Sequence, residues 1–116
     1  MRKYEVIFKA LADRKRLRLM VLLLKEQEQF FVCELASALG DSPYNLSKYL
    51  KELKMVDLVE EERMGRRVFY RIKPAENDFV EKLYQLLWMI EDEELEGFQQ
   101  QLRLRKTLRG EDECVI

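Results

Sequence analysis

The chain of 116 residues has room for one compact domain, so a single small core must carry any activity. Hydrophobic residues make up 47% and charged residues 37%, the balance of a folded, soluble, helix-rich protein rather than of a disordered tail. Histidine is absent and cysteine occurs only at Cys33 and Cys114, which excludes histidine acid/base catalysis, histidine metal sites and a secreted disulfide framework.

The longest uncharged apolar run, Leu19 to Leu24, is six residues, against the roughly 20 needed to cross a bilayer, and no secretory pattern opens the chain. A cytoplasmic protein without a membrane partner is expected. Net charge is −1, but it is unevenly spread. Residues 1 to 41 carry eight Lys/Arg and six Asp/Glu (+2), residues 42 to 73 eight and five (+3), and residues 74 to 116 five and eleven (−6).

In chain order, Tyr4, Ile7, Phe8 and Leu11 have helical spacing over 4 to 12, and Leu17, Met20, Val21 and Leu24 continue on one face of a second helix over 15 to 25, the two joined near Asp13. A short third helix fits 32 to 39, with Val32, Leu35, Ala36 and Leu39 inward and Gly40 as its left-handed stop. Ser42 is a good N-cap and Pro43 a good first helical residue, because the amide hydrogen that proline lacks would have had no partner there. The fourth helix then runs to about Met55 on a Leu46, Leu50, Leu53 stripe bordered by Tyr49. At about 100° per residue, Tyr44, Ser47, Lys48 and Lys51 lie opposite that stripe.

After Asp57, the segments LVEEER and RRVFYRIK predict a hairpin around Met64-Gly65, with Val68, Tyr70 and Ile72 alternating against Arg67, Phe69 and Arg71. From about Glu76 to Thr107 the pattern is helical, although Gly97 and the acidic run Glu91 to Glu96 weaken it. Residues 1 to 110 therefore form the domain, and 111 to 116 a flexible acidic tail.

Short helix, glycine turn, capped second helix with a polar and basic outer face, then a hairpin with an arginine tip: this order predicts a mainly α fold with a β-hairpin wing, a winged helix-turn-helix. The DNA-binding candidates are Ser42, Tyr44, Asn45, Ser47, Lys48 and Lys51 on the recognition helix and Arg63, Arg66 and Arg67 on the wing. The helix would read base edges in a major groove while the arginines attach to phosphates. A winged-helix module for protein contacts without DNA is the competing reading. An enzyme is not expected, since no histidine, glycine-rich phosphate loop or paired-carboxylate motif is present.

Three segments, FKALADRKRLRLMVLL (8 to 23), VCELASALGDSPYNLSKYLKELKMVDLV (32 to 59) and ERMGRRVFYRIK (62 to 73), resemble the ArsR/SmtB bacterial transcriptional repressors. Arg14 stands where that family usually has proline after Leu-Ala-Asp, and Tyr49 where its recognition helix commonly has histidine. The resemblance implies a winged-helix homodimer, with an interface built by the first and last helices, that releases operator DNA when an inducer binds. The apolar faces at both ends of the chain agree, nominating Tyr4, Ile7, Phe8, Phe79, Leu83, Leu86, Leu87 and Ile90 for the seam, unless residues 79 to 102 fold back over their own domain.

Cys33, in VCEL, matches the second cysteine of the family's Cys-Val-Cys arsenic motif, whose first position here is Phe31. With Cys114 it offers two thiols, the makings of a site for a thiolate-bound metalloid or soft metal ion, or of an oxidisable pair. Cys33 is otherwise a small buried hydrophobe, and the inducer then is something that touches no cysteine.

Overall fold

The computed structural model describes residues 1–109. In chain order its elements are α1 (Arg2–Leu11), α2 (Arg14–Glu26), β1 (Phe30–Phe31), α3 (Val32–Leu39), α4 (Pro43–Met55), β2 (Val59–Met64), β3 (Arg67–Ile72), α5 (Asp78–Trp88) and α6 (Leu95–Thr107). The strands form one antiparallel sheet in the order β1-β3-β2.

Helix α2 starts where the Asp13 side chain accepts the Arg16 N–H at 3.1 Å, so the residue expected at a joint is a cap. Arg16 reaches back in turn, its Nε donating to the Ala10 carbonyl at 2.7 Å and closing the end of α1. All of Leu19 to Leu24 is buried, which corrects the expectation of a one-faced helix. The helix is enclosed by α1, α4, α5, α6 and β3.

The strand β1 was not expected. It pairs Phe30 with Tyr70 and Phe31 with Phe69, which makes β3 the central strand. Strand alternation predicts Phe69 on the side of the arginines of the hairpin; it is instead buried, its ring stacked on Phe31 at 3.8 Å between centroids.

The long helix expected from 76 to 107 is two helices. Asn77 caps α5 by accepting the Val80 N–H at 2.9 Å, and the break falls between Trp88 and Leu95. Glu91, Asp92, Glu93 and Glu94 lie in that break, where continuing α5 would set four neighbouring carboxylates against the negative end of its dipole. Gly97 sits inside α6 without interrupting it.

Helix α6 packs on α2 and α3, burying Leu95 and Leu102. The Glu26 carboxylate, its side chain 5% exposed, takes Arg103 Nε at 3.0 Å and Gln99 Nε2 at 2.8 Å. Lys106 pairs with Glu28, and Arg109 with Glu34 at 2.7 Å. The end of the 79 to 102 segment therefore covers its own domain. Replacing Leu22, fully buried in α2, by alanine should lower unfolding stability by about 2–5 kcal/mol through the cavity it leaves, read as a shifted denaturant midpoint with unchanged slope.

Candidate nucleic-acid interface

The turn between α3 and α4 has the expected geometry: Gly40 takes φ 67, and the Ser42 hydroxyl accepts the Asn45 N–H at 3.1 Å with Pro43 in the first helical turn. Leu46, Leu50 and Leu53 are buried, anchoring α4 to the core. On its other side Tyr44 is 72% exposed, with Lys48 Nζ 5.5 Å from its ring centre. Lys48 and Lys51 are exposed and Ser47 is half-buried.

Asn45 differs from its neighbours because its side-chain amide donates to Asp41 Oδ1 at 2.8 Å. The same carboxylate accepts the Ser42 N–H at 2.8 Å, Lys15 Nζ at 3.1 Å and the Tyr49 hydroxyl at 3.4 Å. The Asn45 amide most of all, then the Ser42 N–H and Lys15, hold Asp41 at about 2 against the opposing effect of burial, and Asp41 in turn draws the Lys15 ammonium upward. This clasp ties the recognition helix to the start of α2. Sequence reasoning missed Asp41 and Lys15 as positioning residues; an acid just ahead of a Ser-Pro cap was the signal for the first, and the second, 26 positions away, had none.

The wing turns through Gly65 (φ 65) and Arg66, between paired Met64 and Arg67. Its acidic strand β2 neutralises most nearby cations: Glu61 pairs with Lys54 at 2.6 Å, and Glu62 and Glu60 hold Arg71 at 2.9 and 3.6 Å. Lys73 is paired with Asp57 and Glu76. Arg67 lies over the Phe31 ring at 4.8 Å. Lys48, Lys51, Arg63 and Arg66 make no ion pair among the described residues, so the positive charge of the middle segment is concentrated on the outer face of α4 and the tip of the wing.

The seam candidates divide. Tyr4, Phe8 and Leu86 are exposed, and Phe79 meets Tyr4 and Phe8 edge-on at 4.7 and 6.1 Å between centroids. Ile90 is half-buried. Ile7, Leu83 and Leu87 are buried in the core of their own chain and have no area to give a partner, because helical spacing alone does not tell an inner stripe from the one beside it. Met89, next to these positions, is 72% exposed and is not among the sequence candidates.

Cys33 is half-buried near the start of α3, beside the buried Glu34 that accepts the Phe31 N–H at 2.8 Å. Cys114 and the acidic tail over 111–116 lie outside the described residues. Among the described residues no group of three potential metal ligands comes together.

Because Asp41 binds its donors as an anion, its stabilisation is complete above its ordinary value of 3.8 and fades as pH falls toward 2. Asp41→Asn should therefore melt below the parent protein at pH 6, the two converging near pH 2, and should weaken DNA binding while leaving the circular dichroism spectrum intact.

The model of the arsR family of bacterial regulatory proteins matches residues 13–61. The chain is 33% identical over 109 residues to the arsenical resistance operon repressor of Escherichia coli (strain K12), covering 94% of this chain and 92% of that protein. It is 42% identical over 65 residues to the transcriptional repressor SmtB homolog of Synechocystis, covering 56% and 48%. Among solved structures, reduced HlyU from Vibrio cholerae superposes with a TM-score of 0.61 at 32% identity, covering 73% of this chain and 84% of that one. A homodimeric winged helix-turn-helix DNA-binding domain from Mycobacterium bovis superposes at 0.62 and 34% identity, covering 73% and 74%. With the capped recognition helix, the wing and a relative matched over nearly its whole length, this chain belongs to the arsR family and is a winged helix-turn-helix, DNA-binding transcriptional regulator.

Proposed function

We propose that two copies of this chain pair through Tyr4, Phe8, Phe79, Leu86, Met89 and Ile90 and repress transcription by occupying operator DNA until an inducer releases it. A twofold dimer sets two recognition helices about 34 Å apart, the repeat of successive major grooves, so the operator is a palindrome. Tyr44, Ser47 and Asn45 read base edges; Ser42, Lys48 and Lys51 meet the flanking phosphates, joined by Arg63, Arg66 and Arg67 of the wing. The observation that carries this reading is that, within residues 42 to 73, the cations without an ion pair among the described residues lie on α4 and the wing while Lys54, Arg71 and Lys73 are neutralised. In this role the chain catalyses nothing and works in the cytoplasm, where its DNA is.

Cys33 is disulfide-bonded in this structure, and the inducer acts through it, with Cys114 as its partner, by switching it between the bonded and the thiol state or, in the thiol state, as a bound metalloid or soft metal ion. Its support is positional, since Cys33 lies in the helix immediately before the recognition helix. The names of two relatives, an arsenical resistance operon repressor and a cadmium resistance regulatory protein, are of the same chemistry. Releasing DNA requires the inducer to favour the non-binding state by about 1–3 kcal/mol, an ordinary coupling for a new bond at a helix.

Gel-shift on the chain's own upstream DNA tests the interface. Lys48→Ala and Lys51→Ala should each lower the log–log salt slope by about 1, and Arg66→Ala should weaken specific and non-specific binding alike. Leu86→Glu, at an exposed position, should give a monomer by sedimentation and abolish operator binding without unfolding the chain. Repeating the gel-shift with arsenite, cadmium and an oxidant should show release for the parent and none for Cys33→Ser; release persisting in both Cys33→Ser and Cys114→Ser would place the signal elsewhere.

A further inference from the structure

A cavity of about 760 Å³ opens between the end of α2, the turn that follows it, the root of the wing and the outer side of α5. That volume falls in the range of small-molecule sites. Its apolar wall includes Leu24, Ile72, Pro74 and the indole of Trp88. Trp88 is 52% exposed, and Lys25 Nζ lies 5.1 Å from the centre of its ring without itself lining the cavity, so the ring keeps area to offer an occupant.

The polar groups define what could bind. The Tyr84 hydroxyl is consumed, donating to the Lys73 carbonyl at 2.7 Å, and burial pushes it up to about 12, so it contributes a neutral ring. Arg71 is neutralised by Glu60 and Glu62 and also donates to Gln29 Oε1 at 3.2 Å; Glu28 is neutralised by Lys106. An anionic ligand could pair with Arg71 only by displacing Glu60 and Glu62, and a cationic one with Glu28 only by displacing Lys106. The side-chain amides of Gln27 and Gln85 make no hydrogen bond among the described residues and can donate or accept.

From this arrangement we propose that the cavity is a binding site for an uncharged, planar aromatic molecule that stacks on Trp88 and hydrogen-bonds to the amides of Gln27 and Gln85. The site is separate from the thiol chemistry at Cys33, and it borders the pairing face rather than coinciding with it: Leu86 and Trp88, two positions apart, project about 200° from one another around α5, while Met89 lies beside Gln85 at the shared edge. Its walls join the wing to the helix that carries the seam, and the Tyr84 hydroxyl already ties α5 to the base of the wing. An occupant wedged there would change the angle between wing and dimer, giving the repressor a second, organic inducer. This last step rests on the repressor reading; binding itself does not.

Trp88 is the only tryptophan in the chain, so its indole N–H gives one cross-peak in a ¹H–¹⁵N spectrum of the intact protein without DNA. Titration with 2-naphthamide should move that peak saturably with a Kd at or below about 1 mM, and at least about tenfold more tightly than 2-naphthoate or 2-naphthylmethylammonium, which carry the same ring with opposite charges. Ala75→Phe, which fills the cavity from its wall, should keep the folded spectrum and abolish the shift. A shift unchanged in Ala75→Phe, equal affinities for the three probes, a peak that moves with protein dilution alone, or no shift at millimolar 2-naphthamide would each overturn the site. Gel-shift with the same probe then reads the inducer role separately: saturable binding without operator release would leave the site standing and overturn only its regulatory use.

Discussion

Six consecutive buried residues in α2, Leu19 to Leu24, cannot be covered by a partner on one side, and this demand organises the chain. Burial of each large aliphatic side chain stabilises the fold by about 1.5–3 kcal/mol, so leaving any side of this helix in water would cost a sizeable part of a small domain's stability. Helices α1, α4, α5 and α6 and strand β3 provide the cover. The recognition helix is one of those covering elements. Its leucine stripe belongs to the core, and its direction is consequently set by packing while its opposite side remains free for DNA.

The last helix closes the remaining side by a different route. Leu95 and Leu102 supply its apolar contact, and Arg103, Lys106 and Arg109, each three positions apart, meet Glu26, Glu28 and Glu34. The exposed pair contributes little in water, whereas Glu26 and Glu34 are buried carboxylates whose bidentate arginine partners are needed once they have left solvent. Arg109 also lies over the stacked rings of Phe31 and Phe69, so the start of α3, the wing strand β3 and the residues just after α6 meet at one place. Cys33 is adjacent in sequence to the glutamate at that junction, which gives a chemical event at its sulfur a short mechanical path to the wing.

Charge is handled similarly at the DNA-facing side. Acidic residues of β2 quench the cations that lie along the sheet, and the Asp41 clasp consumes Lys15, so the positive charge of residues 42 to 73 is left on α4 and the wing tip. A net charge of −1 is thus compatible with nucleic-acid binding, because the potential that a duplex meets is local. The same clasp restrains Asn45, leaving Tyr44, Ser47 and Lys48 as the more adaptable groups on the helix.

By itself the sequence determined the elements whose causes are local. Gly40, the Ser42-Pro43 cap, the Leu46, Leu50, Leu53 stripe and the Gly65 turn each act within a few residues, and helix α4 and the hairpin are legible to the residue or nearly so. The tertiary structure alone decided the rest. Strand β1 is two residues long, too short for any periodicity, and exists because β3 offers it an edge. Which of Leu83, Leu86 and Leu87 faces inward depends on where α2 lies, since all three fit the same apolar pattern. The fold-back of α6 and the Asp41 clasp depend on ion pairs between residues 26 to 78 positions apart, and an electrostatic contact formed across the fold leaves no period in the chain from which it could be read.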